Sequence, residues 1–209
     1  MSDAIALLSG GLDSAVSLAI ALRKGIKVKE AVTFDYGQKA VRQEIRCARI
    51  LCRGHNIRHR VFDIRWLGRL APNALIDRNK SLPRPKPGSP IAKEISRQVW
   101  IPNRNALFIS IAAAIAEAKG YQCIIAGFNL EEARSFPDNS IDFINAINIT
   151  LSYSTLNKVK VVSFTGRMDK KGIIRKARAL KINPADTWSC YQGGRKPCGR
   201  CESCLRRNY

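Results

Sequence analysis

The segment Ser9-Gly10-Gly11-Leu12-Asp13-Ser14 joins the apolar run Ala4–Leu8 to a stretch of helical periodicity, and it restricts the fold more than any other part of the chain. A short strand, two glycines and a helix in that order make an oxyanion cradle. The glycines let the backbone come close to an anion, and the first N–H groups and the dipole of the helix face it. Ser9 and Ser14 add hydroxyl donors. The Gly-x-x-x-x-Gly-Lys loop of kinases and GTPases is absent, so a phosphate here is gripped by backbone and hydroxyls without that lysine. The plain alternative is an ordinary glycine turn between a strand and a helix.

The same alternation continues along the chain. Strands are expected near 4–8, 28–34 and 58–64 and helices near 14–24 and 39–54, a βαβαβ order that specifies an α/β, doubly wound parallel sheet covered on both faces. After a break at 66–98, a helix is expected at about 105–119, a strand at 122–126, a helix at about 140–156 and a short strand at 160–162. A last helix, N-capped by Asp169, reaches Leu180. The most apolar stretch, Ala106–Ala116, is too short to cross a bilayer and reads as a buried helix. The break holds five of the nine prolines, Pro72, Pro83, Pro85, Pro87 and Pro90. They exclude a helix or central strand and predict a long surface loop or flap. In open sheets of this kind a ligand sits beyond the carboxyl ends of the strands, and the unusual residues fall in loops at those ends.

At 209 residues the chain is long enough for one substantial core and contains no obvious linker. One domain over 1–186 with a small appendage at 187–209 is expected. Thirty-six Lys and Arg against sixteen Asp and Glu give a formal charge of +20. Such a field concentrates anions such as ATP, carboxylates or nucleic acid without choosing among them. The basic residues are spread along the chain with no arginine-rich tail or RNA-binding motif, so a solvated basic surface is the simpler reading and no nucleic-acid partner is expected. Asp3 and the lack of a basic leader argue against a secretory signal, and a cytoplasmic protein with no membrane partner is expected.

Seven cysteines in a reducing compartment point to a metal or isolated thiols rather than disulfides. Cys190, Cys198, Cys201 and Cys204 fall within fifteen residues. Thiolates at this spacing close a tetrahedral shell around zinc, and Gly193, Gly194 and Gly199 let the backbone wrap. A structural zinc knuckle is the first reading. An iron–sulfur cluster is the rival, because closely spaced cysteines also hold cubanes. Cys47, Cys52 and Cys123 fall in helix or strand patterns and read as buried packing residues.

The order Ser-Gly-Gly-x-Asp-Ser resembles the PP-loop of N-type ATP pyrophosphatases, in which the loop holds pyrophosphate while an oxygen of a second substrate attacks the α-phosphorus and becomes an adenylate. Further blocks are Asp35-Tyr36-Gly37-Gln38, Pro102 with Arg104-Asn105, Asn129 with Glu131 and Glu132, Phe136-Pro137-Asp138, and Thr187-Trp188-Ser189-Cys190-Tyr191 ahead of three more cysteines. With them the chain resembles the 7-cyano-7-deazaguanine (preQ0) synthase family nearly end to end. The resemblance implies that 7-carboxy-7-deazaguanine is adenylated, attacked by ammonia to give an amide, and adenylated again on the amide oxygen. Loss of AMP then leaves the nitrile precursor of queuosine and archaeosine. Phe136-Pro137-Asp138-Asn139-Ser140 resembles the archaeal branch. Two positions depart from the family pattern: Gly172 stands where an acidic residue is usual, and Ala133-Arg134 replaces a tyrosine-containing stretch.

The resemblance also implies roles. Backbone and hydroxyl groups of Leu8, Ser9, Gly10, Gly11, Leu12, Asp13, Ser14 and Ala15 hold the triphosphate, with Asp13 near magnesium or its waters. Asp35 reaches the nucleotide or orders its own loop. Arg104 is a fork for a carboxylate or phosphate and Lys170 a charge suited to phosphate. Glu131, Glu132 and Asp138 are candidates to accept hydrogen bonds from a guanine-like edge, and Phe128, Phe136, Trp100 or Trp188 to stack on it, although each aromatic can instead be core. ATP, ammonium and the deazaguanine acid are the expected partners, and a homodimer is allowed for. Competing functions are a PP-loop enzyme that thiolates tRNA or attaches lysine to it, a relative that stops at the amide or couples the acid to a protein amine, and a non-catalytic zinc-knuckle module.

Overall fold

The computed structural model describes residues 3–84 and 93–207. Strands β1 (Asp3–Leu7), β2 (Lys27–Asp35), β3 (Arg58–Asp63), β4 (Cys123–Ala126) and β5 (Lys160–Ser163) form one parallel sheet in the order β3-β2-β1-β4-β5. The helices are α1 (Leu12–Arg23), α2 (Val41–Arg53), α3 (Arg65–Leu70), α4 (Lys93–Gln98), α5 (Arg104–Ala118), α6 (Leu130–Ser135), α7 (Ile141–Ser154), α8 (Lys170–Ala179) and α9 (Glu202–Arg207). Successive strand side chains point to opposite faces, and the core divides accordingly. Ala4 and Ala6 of β1 pack with Leu18 and Ala21 of α1 and Ala48 of α2, whereas Ile5 packs with Ile109, Ala112 and Ala116 of α5. Strand β4 repeats this, Cys123 and Ile125 joining the first set and Ile124 and Ala126 the second. Cys47 and Cys52 are buried beside Cys123's sheet as packing residues. A parallel sheet covered on both faces is the doubly wound architecture that the alternation specified.

Winding reverses at β1, which lies between β2 and β4. The chains leaving the ends of β1 and β4 therefore diverge and open a crevice, the usual ligand position in such sheets. Asp169 caps α8 as its position predicts, its Oδ1 accepting the Gly172 N–H at 2.7 Å. Helices α6 and α9, six residues each, were not anticipated, since such short stretches carry too few turns for periodicity to register.

The 66–98 break differs from expectation. Helix α3 enters it and α4 closes it, and Pro85, Pro87 and Pro90 lie outside the described residues. Its first part is also more than a surface loop, because Ala74, Leu75 and Leu82 are buried in the core. The cause is Asn73, whose Nδ2 donates to the Trp100 carbonyl at 2.7 Å while its Oδ1 accepts the Leu75 N–H at 2.9 Å. This Asx turn directs the apolar residues inward. Among the described residues no helix is long and apolar enough to cross a membrane.

Candidate active site

The Ser9–Ser14 turn occupies the crevice, and it is held almost entirely by backbone. Gly10 has φ +71°, and a Cβ there would stand 2.5 Å from the Glu44 carbonyl and 3.0 Å from the Ala48 nitrogen of α2. Its own carbonyl accepts the Trp188 N–H at 2.8 Å. On the other side Gly127, directly after β4, lies against Ser14, where a Cβ would collide with the Ser14 Cα and approach its nitrogen to 2.5 Å. The hydroxyls are pre-arranged: Ser14 Oγ donates to the Gly11 carbonyl at 3.0 Å and lies 3.2 Å from Ser9 Oγ. No side chain caps the start of α1. Its first N–H groups are left to meet an anion.

Asp13, in the first turn of α1, is paired rather than open. Lys170 Nζ donates to both carboxylate oxygens at 2.9 and 2.8 Å, and Asn129 Nδ2 adds a third contact at 2.9 Å. The two ionised side chains are only 14% and 12% exposed. The backbone N–H of Lys170 donates to Glu131 Oε1 at 2.9 Å, and Glu131 Oε2 lies 3.6 Å from Arg206 Nη1. Arg206 Nε pairs with Glu202, whose Oε2 accepts the Tyr191 hydroxyl at 2.6 Å. This bridge runs from the phosphate turn to α9, between Cys201 and Cys204.

The opposite wall is made of ionisable side chains from separate elements. Arg104, the first residue of α5, stacks over the Tyr36 ring at 5.5 Å and donates to its hydroxyl at 3.2 Å. Burial pushes the Tyr36 phenol up to about 12, with Arg104 opposing. Burial likewise pushes Glu44 up to about 7 and raises Asp138, and Arg104 offsets both. Glu132 is raised by burial and by the Asp13 charge, with Lys170 opposing. Trp100 and Phe136 lie nearly parallel, 6° apart with centroids at 6.1 Å. The two walls enclose a cleft of about 240 Å³.

Beside the cleft the four cysteine sulfurs lie within 4.8 Å of one another. Cys198 and Cys204 are 3.9 Å apart, close to the roughly 3.8 Å between sulfurs at tetrahedral zinc–thiolate bond lengths. Cys190 Sγ accepts N–H groups from Gln192 at 3.4 Å and Cys198 at 3.3 Å, and Cys198 Sγ accepts that of Cys201 at 3.3 Å. The Cys201 thiol, then the Cys198 and Gln192 N–H groups, hold the Cys190 thiol down, and the same contact with Cys190 pushes Cys201 up. Four converging thiols make a soft donor set that fits a thiophilic divalent metal.

The family model described as "Queuosine biosynthesis protein QueC" matches residues 3–209. The chain belongs to the QueC family. A 7-cyano-7-deazaguanine synthase of Pelotomaculum thermopropionicum is 48% identical over 206 residues, 97% of this chain and 93% of the relative. One of Methanosarcina mazei is 41% identical over 211 residues, 98% and 91% of the two chains. Among solved structures, the U34-tRNA thiolase NcsA of Methanococcus maripaludis, carrying its [4Fe-4S] cluster, superposes with a TM-score of 0.53 at 15% identity, covering 99% of this chain and 62% of that one. A Methanocaldococcus jannaschii protein described as a predicted subunit of a tRNA methyltransferase gives 0.52 at 15%, covering 85% and 75%. These two likenesses concern the fold alone.

In this QueC chain Leu8, Ser9, Gly11, Leu12, Asp13, Ser14, Arg104, Glu132, Phe136, Asp138 and Lys170 all line the cleft, with Trp100, Phe128 and Trp188. Four candidates stand outside it. Gly10 faces α2, and the Ala15 N–H is used by the Gly11 carbonyl at 3.0 Å. Asp35 Oδ1 accepts the Gly37 N–H at 2.9 Å, so it orders its own turn. Glu131 is turned toward Arg206 and α8. Sequence reasoning missed Gly127, Glu44, Glu202 and Arg206. Gly127 carried a signal, a glycine at the end of a strand beside the switch point; the charged three are single residues that no motif marks.

Proposed function

We propose that the protein is an ATP-dependent carbon–nitrogen ligase that converts 7-carboxy-7-deazaguanine and ammonia to 7-cyano-7-deazaguanine through adenylate and amide intermediates. The observation that carries this reading is one cleft shared by the uncapped start of α1, the Arg104 fork and the acids Glu132 and Asp138, in a chain similar over nearly its whole length to proteins named for that product. A carboxylate oxygen is a poor leaving group and its adenylate a good one. The protein's task is to stabilise departing pyrophosphate and to hold two reactants in line. The Leu8–Ser14 backbone and hydroxyls take the phosphates, and Lys170, anchored on Asp13, supplies positive charge beside them. Arg104 receives the substrate carboxylate, Glu132 and Asp138 accept from the guanine-like edge, and Phe136 with Trp100 stacks on the ring. Magnesium bound with ATP would offset phosphate charge, and Asp13, both of whose oxygens accept from Lys170, would face it as part of that ion pair. Cys190, Cys198, Cys201 and Cys204 would hold zinc, which would supply a structural cross-link within the 187–209 appendage. We place the protein in the cytoplasm.

Incubation with ATP, magnesium, ammonium and 7-carboxy-7-deazaguanine, followed by mass spectrometry, tests this. The expected products are AMP, pyrophosphate and the nitrile. ADP with orthophosphate, or acid that persists while ATP is intact, overturns it.

A further inference from the structure

Four carboxyls line the cleft, Asp13, Glu44, Glu132 and Asp138, and Glu44 alone has no role in the reading above. It stands in the first turn of α2, beside the phosphate turn, with its backbone carbonyl packed on Gly10. Its carboxyl is oriented by a locked neighbour. Gln38 Nε2 donates to Glu44 Oε2 at 2.7 Å and to the Phe34 carbonyl at 3.0 Å, while Gln38 Oε1 accepts the Tyr36 N–H at 3.0 Å. With both ends fixed, Gln38 cannot follow another partner, so Glu44 presents one held oxygen and one, Oε1, that accepts no hydrogen bond among the described residues. The groups facing it are Arg104 from α5, Asp35 of β2, Tyr36 beyond it and Cys47 of α2. Among the described residues its one side-chain hydrogen bond is from the neutral Gln38 amide, and it has no ion pair. A carboxyl placed in a low-dielectric wall without an ion pair costs stability, which argues that the position is kept for chemistry.

We propose that Glu44 is a catalytic proton acceptor for the nitrogen donor in the amide-forming step. The proposal rests on the function given above. Glu44 carboxylate takes one proton from ammonium and becomes the acid, and the ammonia lone pair forms the C–N bond at the acyl carbon. The C–O bond to the phosphate breaks with its electron pair, and AMP departs. The protonated amide nitrogen then loses a second proton to the leaving phosphate or to water, and Glu44 returns its own to solvent. Its neighbours suit this role better than those of the other two acids: Glu132 feels the charges of the Lys170–Asp13 pair, and Asp138 Oδ1 is engaged by Asn139 Nδ2 at 3.1 Å. An acid that titrates near neutrality is matched to proton transfer at working pH.

The two half-reactions separate this role from a structural one. In Glu44→Gln, acid-dependent exchange of labelled pyrophosphate into ATP should persist, while amide formation from ammonium falls by about 10²- to 10⁴-fold. Hydroxylamine, uncharged at neutral pH, should recover most of the loss. Equal losses in exchange and amide formation, or parental amide formation, overturn the proposal. The parent protein gives an independent measure. At saturating ammonium, amide formation by the parent should lose a further step below about pH 7 that Glu44→Gln, following the free-ammonia fraction alone, lacks, while exchange shows no such step, and coincident profiles of parent and variant count against Glu44. If the parent shows no acid-dependent exchange at all, the proposed function fails instead.

Discussion

The two walls of the cleft are built on opposite principles. The phosphate turn is a template of backbone and small residues, fixed where Gly10 meets α2 and Gly127 meets Ser14 with no room for a methyl group. The facing wall collects Arg104, Glu44, Glu132 and Asp138 from four separate segments, and its character is electrostatic. A template fails when an atom is added; a charged wall keeps its shape under isosteric change and loses its chemistry. Substitutions should therefore sort by wall.

Lys170 tests the template side most severely. Lys170→Met leaves the Asp13 carboxylate, only 14% exposed, with Asn129 as its one remaining side-chain donor. Removing one member of such a pair costs about 3–5 kcal/mol, which urea unfolding would register. Combining it with Asp13→Asn should restore part of the loss, because the two residues share one interaction. Strict additivity would mean that the pair is not the source.

Gly127→Ala comes next. The added Cβ must displace Ser14, and a shift of about 1 Å in a positioning group lowers kcat/KM for ATP by roughly 100-fold. Gly54→Ala, in helical backbone at the end of α2 with φ −61° and nothing nearer to its Cβ than carbonyl oxygens at 3.7 Å, is the control. Similar losses from the two would show that the turn is not clamped at Gly127.

The same contrast explains what the sequence disclosed. The turn, its strand and its helix are contiguous in the chain, so Ala4–Leu8 followed by Ser9–Ser14 displays geometry and chemistry together. The four cysteines were legible for the same reason. Glu44, Glu202 and Arg206 were not, because each lies on a helix where a charge is normally solvated, and only the tertiary fold turns them inward. Asp35 shows the reverse: it belongs to a family-like block, yet its carboxylate is spent on the Gly37 N–H. The 66–98 segment shows a third case, in which the prolines pointed to a surface loop and said nothing of the short helices at its two ends or of the inward packing that Asn73 directs.

Arg206 sharpens the comparison from between the walls. It links Glu202, beside the cysteine cluster, to Glu131, which holds the first N–H of α8 and thereby the base of Lys170. Arg206 Nη1 is buried without a hydrogen bond, so the bridge is not optimised for stability. Arg206→Met should lower kcat/KM for ATP by about tenfold through misplacement of Lys170, with metal content per chain unchanged by elemental analysis. Arg206→Lys, which keeps the charge but lacks the fork, should fall between parent and Met. Metal loss in step with activity would assign Arg206 to the cysteine site alone.

The smallest effect is on stability and has the opposite sign to the effect on activity. The Glu44 carboxyl is raised from 4.5 to about 7 by burial, so between those values the folded protein keeps a proton that the unfolded chain has lost. Stability from this group therefore falls as pH rises through that window, and above it the whole penalty of holding a charge in the wall is present. Glu132 and Asp138 are also raised and act in the same direction, but they do so in parent and variant alike and cancel in the comparison. Glu44→Gln should melt at the parent's temperature near pH 4 and several degrees above it at pH 8, while being the slower enzyme in amide formation. A gain of equal size at both pH values would mean that packing, not charge, is responsible, and the electrostatic account of this wall would fall.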